Sequence, residues 1–371
     1  MSETYSEEQI AAHLLNLNPQ VGAKTLIKLH NCFGSFAQAY AKLKNQKIPV
    51  FEEAAKFEKI SLGIRQLNPE KEIRNLNQEK IKIILFKDEV YPKLLAEIPD
   101  KPALLYSRGK TDYLNNPGIA VVGTRKLSVY GKFVTETLVE KIVNAGLMVV
   151  SGLAMGIDAV AHASTLKNQG ITFAICPGGV DNTSIYPKIN YPLAQKILKQ
   201  DGALLSENPP GSPTLKHLFP VRNRIIAGLT LGTLVTEAAE DSGALHTARA
   251  ALEYNREVFA VPGDITKPGS AGPNNLIKMG AKLISSAEDI LEELKIENPN
   301  IPIKSLPKLS LEEQTLIELL SQEPLHIDKI LAMSKLNTSL VNSNLILLEI
   351  KGLIKNLGNN YYIRIISNSK F

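Results

Sequence analysis

The sequence predicts an α/β protein built on an extended Rossmann-like, doubly wound, mostly parallel sheet. Between Ile119 and Val261, apolar runs of about five residues alternate with helical patterns of about ten to eighteen residues. This alternation predicts right-handed βαβ units, with helices on both faces of a parallel sheet. Glycine, hydroxyl and arginine residues follow the apolar runs, and parallel strands end at one common edge. We therefore expect a ligand site at that edge.

The segment before the sheet predicts a small helical domain of the SAM or helix-hairpin-helix type. Residues 18–29 form a turn that leads into a short helix, with Gly22 between apolar residues. In a helix-hairpin-helix the turn amides bind a phosphate, but only one glycine is present here. A structural or protein-contact role is therefore favoured over DNA contact. We place this domain at residues 1–75 and the sheet domain at residues 76–294.

The first core strand leads into a loop suited to anions. Residues 119–122 are followed by Gly123, Thr124 and Arg125, and a helical pattern begins near Ser128. Backbone amides, a hydroxyl and a guanidinium are expected to meet there at a helix N-terminus. The helix dipole favours negative charge at that end.

The next two strands end in similar loops. Residues 147–150 run into Ser151 and Gly152, where a glycine allows a ligand to approach the backbone closely. Residues 171–175 are followed by a glycine pair and then by Lys188. The repetition of these loops at one edge predicts a single extended binding surface.

The fourth strand, residues 203–206, precedes a cluster of strong donors. Arg222 and Arg224 flank Asn223 just before an apolar run that begins a helix. Cations at the first turn of a helix oppose the helix dipole, and acids would stabilise that position better. The choice of arginine therefore predicts an external negative partner.

The C-terminal part predicts a winged-helix domain at residues 310–371, after a proline-containing linker at residues 295–309. Three helical patterns are followed by two short strands around a glycine turn. The third helix, residues 337–352, carries only one acid and one lysine. A helix that enters the major groove brings Arg or Lys to phosphates and bases. A protein-contact or accessory role is therefore favoured over duplex recognition.

Composition limits the class of function. The net charge of +5 predicts a localised basic patch rather than a polycationic surface. Two cysteines are too few for a disulfide framework, and the six histidines show no spacing typical of a zinc site. The acidic N-terminus lacks the apolar core of a signal peptide, and no apolar stretch has the length of a membrane span. We expect a cytoplasmic protein without membrane association, metal or cofactor.

Short motifs occur in a fixed order over about 140 residues of the sheet domain. They are VGTR..S.YG from Val122, SGLA.GID..AH from Ser151, a glycine pair from Gly178, SE.PPG from Ser206, FP.RNRIIAGL from Phe219, EA...SG.L.TAR from Glu237 and VPG from Val261. This order is far more specific than one glycine loop. It resembles the DNA-processing protein A family (DprA, also called Smf).

The resemblance implies a function and a set of site residues. Members of this family bind single-stranded DNA during natural transformation and load the RecA recombinase. The chain is therefore expected to be a homodimeric recombination mediator that protects incoming single strands and has no catalytic residue. The residues expected at the DNA are Gly123, Thr124, Arg125, Ser151, Gly152, Lys188, Arg222, Asn223 and Arg224.

A Rossmann-type nucleotide-binding enzyme is the alternative. The segment 232–237 resembles the glycine-threonine-glutamate element of nucleoside monophosphate phosphoribohydrolases, in which Glu237 would be the catalytic acid. The paired glycines usual before that threonine are missing, because Leu231 precedes Gly232. A dinucleotide oxidoreductase is weaker still, since the first loop lacks the second and third glycines of GxGxxG.

The cations and aromatic rings also have structural alternatives. Arg125 or Arg224 could form an internal ion pair with Glu207 or Glu237. Aromatic side chains in the same loops could stack on bases or pack in the interior. An arginine that is paired internally would be removed from the set of phosphate contacts.

Overall fold

A computed structural model describes residues 5–45, 54–296, 309–321, 323–350, 353–358 and 360–364. The chain divides into two compact units, one up to residue 299 and one from residue 300. Most of the predicted linker, residues 297–308, lies outside the described residues. The predicted domain boundaries near residues 75 and 294 stay predictions.

Within the described residues, five helices precede the sheet. They are α1 (Glu7–Asn16), α2 (Ala23–Phe33), α3 (Phe36–Lys44), α4 (Ala54–Arg65) and α5 (Pro69–Gln78). Local sequence sets their ends: Ser6 begins α1 with a capping box, and Gly34 ends α2 with a φ of 87°. Their buried side chains share one core with the first strands of the sheet, so they pack as part of the first unit.

The central sheet has nine strands. They are β1 (Ile81–Leu85), β2 (Leu104–Gly109), β3 (Gly118–Val122), β4 (Met148–Ser151), β5 (Thr172–Ile175), β6 (Ala203–Ser206), β7 (Gly232–Val235), β8 (Glu257–Ala260) and β9 (Lys282–Leu283). Their order is β1-β2-β6-β5-β4-β3-β7-β8-β9. Strands β3 to β9 pair in parallel, and β1 and β2 add an antiparallel edge. The predicted mostly parallel sheet is confirmed.

Helices cover both faces of this sheet. They are α6 (Lys93–Glu97), α7 (Val129–Asn144), α8 (Ile157–Lys167), α9 (Tyr191–Lys199), α10 (Leu218–Gly228), α11 (Ala244–Glu253), α12 (Pro268–Lys278) and α13 (Ala287–Glu293). Ile119 and Val121 of β3 join one buried cluster, and Ala120 and Val122 join another, as expected for a strand buried on both faces. The sequence pattern does not show α12, because its prolines and glycines are typical of loops.

The connections reverse direction between β3 and β7, which are neighbours in the sheet. The chain leaves β3 through α7 toward β4, whereas it leaves β7 through α11 toward β8 on the other side. The loops after these two strands therefore diverge. We call residues 123–128 the first loop and residues 236–243 the β7 loop. Open α/β sheets bind ligands in the crevice at such a switch point.

The second unit has the predicted winged-helix order. It contains α14 (Leu311–Leu319), β10 (Leu325–His326), α15 (Ile327–Ser334), α16 (Thr338–Ile350), β11 (Ile354–Asn356) and β12 (Tyr361–Arg364). The strands form a small antiparallel sheet in the order β10-β12-β11. Helix α16 lies within the predicted, nearly uncharged helix and exposes Leu340, Ile346 and Leu347. Its protein-contact role stays a prediction.

The described part of the chain lacks both a membrane-spanning helix and a metal-binding cluster. None of its helices is long and apolar enough to cross a membrane. It holds no group of three or more His, Cys, Asp or Glu side chains that could bind a metal ion. Cys32 and Cys176 are free thiols, and burial raises the pKa of Cys176 to about 12. That thiol is therefore unreactive near neutral pH.

Two buried histidines make the fold sensitive to acid. Nδ1 of His13 lies 2.9 Å from the Tyr106 hydroxyl, and Nδ1 of His162 lies 2.7 Å from the Thr172 hydroxyl. Burial lowers the pKa of His13 to about 4 and that of His162 to about 3. The folded protein therefore keeps both rings neutral at pH values where the unfolded chain protonates them.

Stability is expected to fall as the pH drops below the unfolded-state pKa of about 6.5. Each histidine should cost the fold about 2 kcal/mol between pH 6.5 and pH 5, because only the unfolded state takes up the proton. Urea unfolding from pH 5 to pH 8 measures this loss. The dependence should be shallower in His162→Gln, and an equally steep dependence in that variant would contradict the assignment.

Candidate functional site

A cavity of about 470 Å³ lies at the switch point. The first loop, the β7 loop and α10 form its walls, and we call it the switch cavity. Five of the nine predicted site residues line it, namely Gly123, Thr124, Arg125, Arg222 and Asn223. A cavity therefore lies at the carboxyl edge of the sheet, where the sequence predicts a site. The roles of the individual residues stay predictions.

Arg125 supplies an exposed cation to the switch cavity. Its guanidinium carbon lies 4.9 Å from the centre of the Phe219 ring, which is a cation–π contact. The backbone beside it is fixed, because the carbonyl of Thr124 accepts the Ile157 amide at 3.1 Å. Gly156 has a φ of +81°, and a Cβ there would overlap the Thr124 and Arg125 backbone. The loop is therefore held while the side chain can reach a ligand.

Arg222 lies buried beneath the switch cavity. Its Nη1 donates to the carbonyls of Gly152, at 2.7 Å, and Ile175. A Cβ on Gly152 would overlap the guanidinium, so this glycine makes room for Arg222. Burial raises the pKa of Asp158, and the nearby charge of Arg222 opposes that shift. The Asp158 carboxylate also accepts the Gly152 amide at 3.0 Å.

Arg224 faces away from the switch cavity, because residues two apart on a helix do not share a face. It lines a separate cavity of about 1100 Å³. Its guanidinium pairs with the Glu207 carboxylate, and its Nε lies 3.7 Å from Asp100. Burial raises the pKa of Glu207, and the charge of Arg224 opposes that shift. The internal ion pair considered from the sequence is confirmed for Arg224.

Both arginines of α10 have partners inside the protein, and their predicted contact with an external anion stays a prediction. Arg222 donates to carbonyls and lies near the charge of Asp158, and Arg224 pairs with Glu207 and Asp100, but the buried Nη1 of Arg224 has no hydrogen-bond partner among the described residues. Both residues are buried, with 5% of Arg222 and 9% of Arg224 exposed. Their DNA contacts stay predictions, and for Arg224 such a contact would require it to leave its acidic partners.

Two further predicted residues act as scaffold in this structure. Ser151 is fully buried, and its hydroxyl donates to the Val121 carbonyl at 2.7 Å, which ties β4 to β3. The Asn223 amide donates to the Gly243 carbonyl at 3.2 Å, and its oxygen accepts Nε of Arg222 at 3.1 Å. Asn223 therefore joins α10 to the β7 loop at the wall of the switch cavity.

Two aromatic rings extend the surface toward Lys188. Phe219 contacts Arg222 as well as Arg125, with the Arg222 guanidinium carbon 5.9 Å from its ring centre. Tyr186 is exposed and meets Phe219 edge to face, with 6.2 Å between the ring centroids. Lys188 stands two residues further on, is exposed, and donates to the Thr183 carbonyl at 2.7 Å. Phe219 thus contacts Arg125, Arg222 and Tyr186, and we call these side chains with Lys126 and Lys188 the cluster. The sequence did not reveal this central position of Phe219.

Two amides at the N-terminus of α7, behind the first loop, have acceptors inside the protein. The Ser128 hydroxyl accepts the Gly131 amide at 3.0 Å, and the Glu237 carboxylate accepts the Ser128 amide at 2.9 Å. The predicted use of amides at this helix N-terminus by an external anion stays a prediction. Lys126 also lines the switch cavity, although it is not among the predicted site residues. Its position next to Arg125 in the chain was the sequence signal that could have identified it.

Two known protein families match most of the chain. The family described as DNA recombination-mediator protein A matches residues 82–295, and the DprA winged helix domain matches residues 302–360. The chain is 45% identical over 222 residues to DNA processing protein DprA of Bacillus subtilis (strain 168), across 60% of this chain and 74% of that protein. It is 44% identical over 220 residues to Protein Smf of Escherichia coli (strain K12), across 59% and 58%.

Solved structures agree with these matches. The X-ray structure of DNA processing protein A from Streptococcus pneumoniae has a TM-score of 0.67 and 35% identity, and the match covers 78% of this chain and 99% of that one. A structure of the Helicobacter pylori protein, which describes its single-stranded DNA binding mode, has a TM-score of 0.52 and 30% identity over 58% of this chain and 96% of that one. The family resemblance seen in the motifs is confirmed, and the chain belongs to the DNA recombination-mediator protein A family.

Proposed function

We propose that this chain is a recombination mediator that binds single-stranded DNA at the switch cavity. The observation that carries the proposal is Arg125, an exposed guanidinium on a fixed loop above an aromatic ring. It stands at the edge where α/β sheets bind ligands. The single-stranded DNA binding mode described for the Helicobacter pylori protein supports the same ligand class.

The cluster combines the two kinds of group that bind a single strand without reading its sequence. The exposed cations Arg125, Lys126 and Lys188 can neutralise phosphates. The wall of the switch cavity also carries one acid, Asp241. Tyr186 and Phe219 offer rings on which unpaired bases can stack. Paired bases in a duplex are already stacked on each other, so this surface favours the single strand.

Single-strand affinity is expected to fall with salt. If three exposed cations each neutralise one phosphate, the slope of log affinity against log salt should be about −2. Fluorescence anisotropy of labelled single strands and duplexes at several salt concentrations measures the slope and the preference together. Equal affinity for the duplex, or affinity independent of salt, would count against the proposal.

Family membership supports a wider set of proposals. The chain would protect incoming single strands during natural transformation and load RecA onto them, acting as a homodimer in the cytoplasm. Light scattering across micromolar concentrations measures the oligomeric state. The rate at which RecA hydrolyses ATP on single strands already covered by a single-strand-binding protein measures loading.

A non-enzymatic role is also part of the proposal. The alternative would use Glu237 as the catalytic acid of a nucleoside monophosphate phosphoribohydrolase. The Glu237 carboxylate instead accepts the Ser128 amide and lies against Gly131 and Gly269. Incubation with nucleoside monophosphates tests the alternative, because release of free base would support an enzyme.

A further inference from the structure

Glu237 connects the β7 loop to both ends of the first loop. Its backbone carbonyl accepts the Thr124 amide at 2.6 Å. Its carboxylate accepts the Ser128 amide at 2.9 Å. Thr124 precedes Arg125 directly, and Ser128 begins α7 as its N-cap. One residue from the neighbouring strand therefore closes the loop that carries Arg125.

Two glycines leave the space that the Glu237 carboxylate occupies. A Cβ on Gly131 or on Gly269 would overlap the carboxylate, so both glycines leave the space that the side chain fills. Burial raises the pKa of Tyr130, and the negative charge of Glu237 adds to that shift. The Tyr130 hydroxyl donates to the Pro262 carbonyl at 2.8 Å. The carboxylate is thus a fixed part of the loop's support.

We propose that Glu237 is a positioning residue for DNA binding, which acts by holding the first loop so that Arg125 projects over Phe219. This inference rests on the proposed function. A loop that must become ordered on binding loses conformational entropy at that step. A loop closed beforehand by Glu237 avoids this loss, and its guanidinium is already directed at the switch cavity.

Three variants of Glu237 distinguish the effects of its side-chain length, its negative charge and its acceptor oxygen on DNA binding. Glu237→Ala should weaken single-strand binding by about tenfold, because the Ser128 amide loses its charged acceptor. Glu237→Asp keeps the charge but is one methylene shorter, so it should also bind weakly. Glu237→Gln keeps an acceptor oxygen at the same reach and should bind within about threefold of wild type. Glu140→Ala, which removes an exposed carboxylate near the other end of α7, is the matched control.

A double-mutant cycle shows whether Glu237 acts through Arg125. In an Arg125→Ala background, Glu237→Ala should change affinity by less than about twofold, since the side chain it positions is gone. Independent losses that add in the double variant would overturn the proposal. Hydrogen exchange at the Ser128 amide should accelerate in Glu237→Ala and Glu237→Asp but not in Glu237→Gln. This measurement is made without DNA, so it tests the support of the first loop directly.

The outcomes distinguish this inference from the proposed function. If Arg125→Ala weakens binding and Glu237→Ala does not, the DNA site stands and the positioning role fails. If Arg125→Ala binds like wild type, the DNA site fails and the positioning role fails with it. Thermal unfolding of each variant identifies any change that acts by loss of the fold, and the Asp and Gln variants then carry the comparison.

Discussion

Arg222→Ala is expected to lower the free energy of unfolding by about 3–5 kcal/mol, because it leaves a buried charge without its partner. The guanidinium now donates to the carbonyls of Gly152 and Ile175 and opposes the charge of Asp158. Alanine would leave those acceptors unsatisfied and Asp158 uncompensated in the interior. Urea unfolding of the unit that contains the sheet measures the loss.

The controls for this prediction use the same residue types. Arg249→Ala removes an exposed arginine on α11 and should change the free energy of unfolding by less than about 0.5 kcal/mol. The double variant Arg222→Met with Asp158→Asn removes both charges, so it should regain at least about 2 kcal/mol relative to Arg222→Ala. A loss below about 1 kcal/mol in Arg222→Ala would show that the buried cation contributes little.

Arg125→Ala is expected to weaken single-strand binding by at least about tenfold, because a charge-assisted contact with phosphate is lost. The slope of log affinity against log salt should become shallower by about 0.7, the share of one phosphate contact. Stability should change little, since the side chain is exposed and its cation–π contact is with the half-buried Phe219 ring. Anisotropy titration at several salt concentrations gives affinity and slope from one data set.

Lys167→Ala is the matched control for this second prediction. Lys167 is an exposed cation at the last residue of α8, which begins at the carboxyl edge of the sheet and runs back to the opposite edge. The protein's net charge changes by the same amount in both variants. Equal losses of affinity in Arg125→Ala and Lys167→Ala would mean that net charge, rather than a site at the switch cavity, governs binding.

The sequence was sufficient for the sheet and for the edge that carries the site. Continuous apolar runs such as residues 119–122 are typical of strands buried on both faces, and the structure has them in a parallel sheet. Loops that follow parallel strands must share an edge, so the position of Arg125 followed from chain order alone. Phe219 could not be ranked above the other rings, because its central place depends on packing between two loops and a helix.

The sequence was not sufficient for the partners of charged groups. Arg222 and Arg224 are both basic and close in the chain, yet they serve different internal contacts on opposite sides of α10. Of their acidic neighbours, Asp158 lies in the first turn of α8 and Glu207 directly follows β6. Glu237 lies 109 residues from the Ser128 amide that it accepts, so no local pattern could connect them. Long-range pairing of this kind becomes visible only in three dimensions.

The neighbouring positions of β3 and β7 have a consequence for synthesis of the protein. These strands pair directly, but residue Ile119 and its partner Gly232 are far apart along the chain. During translation, Arg125 therefore leaves the ribosome well before the wall that will support it. Contacts of such long range form late because a large loop must close first. A nascent or truncated polypeptide that ends before Gly232 would present the arginine without the pocket.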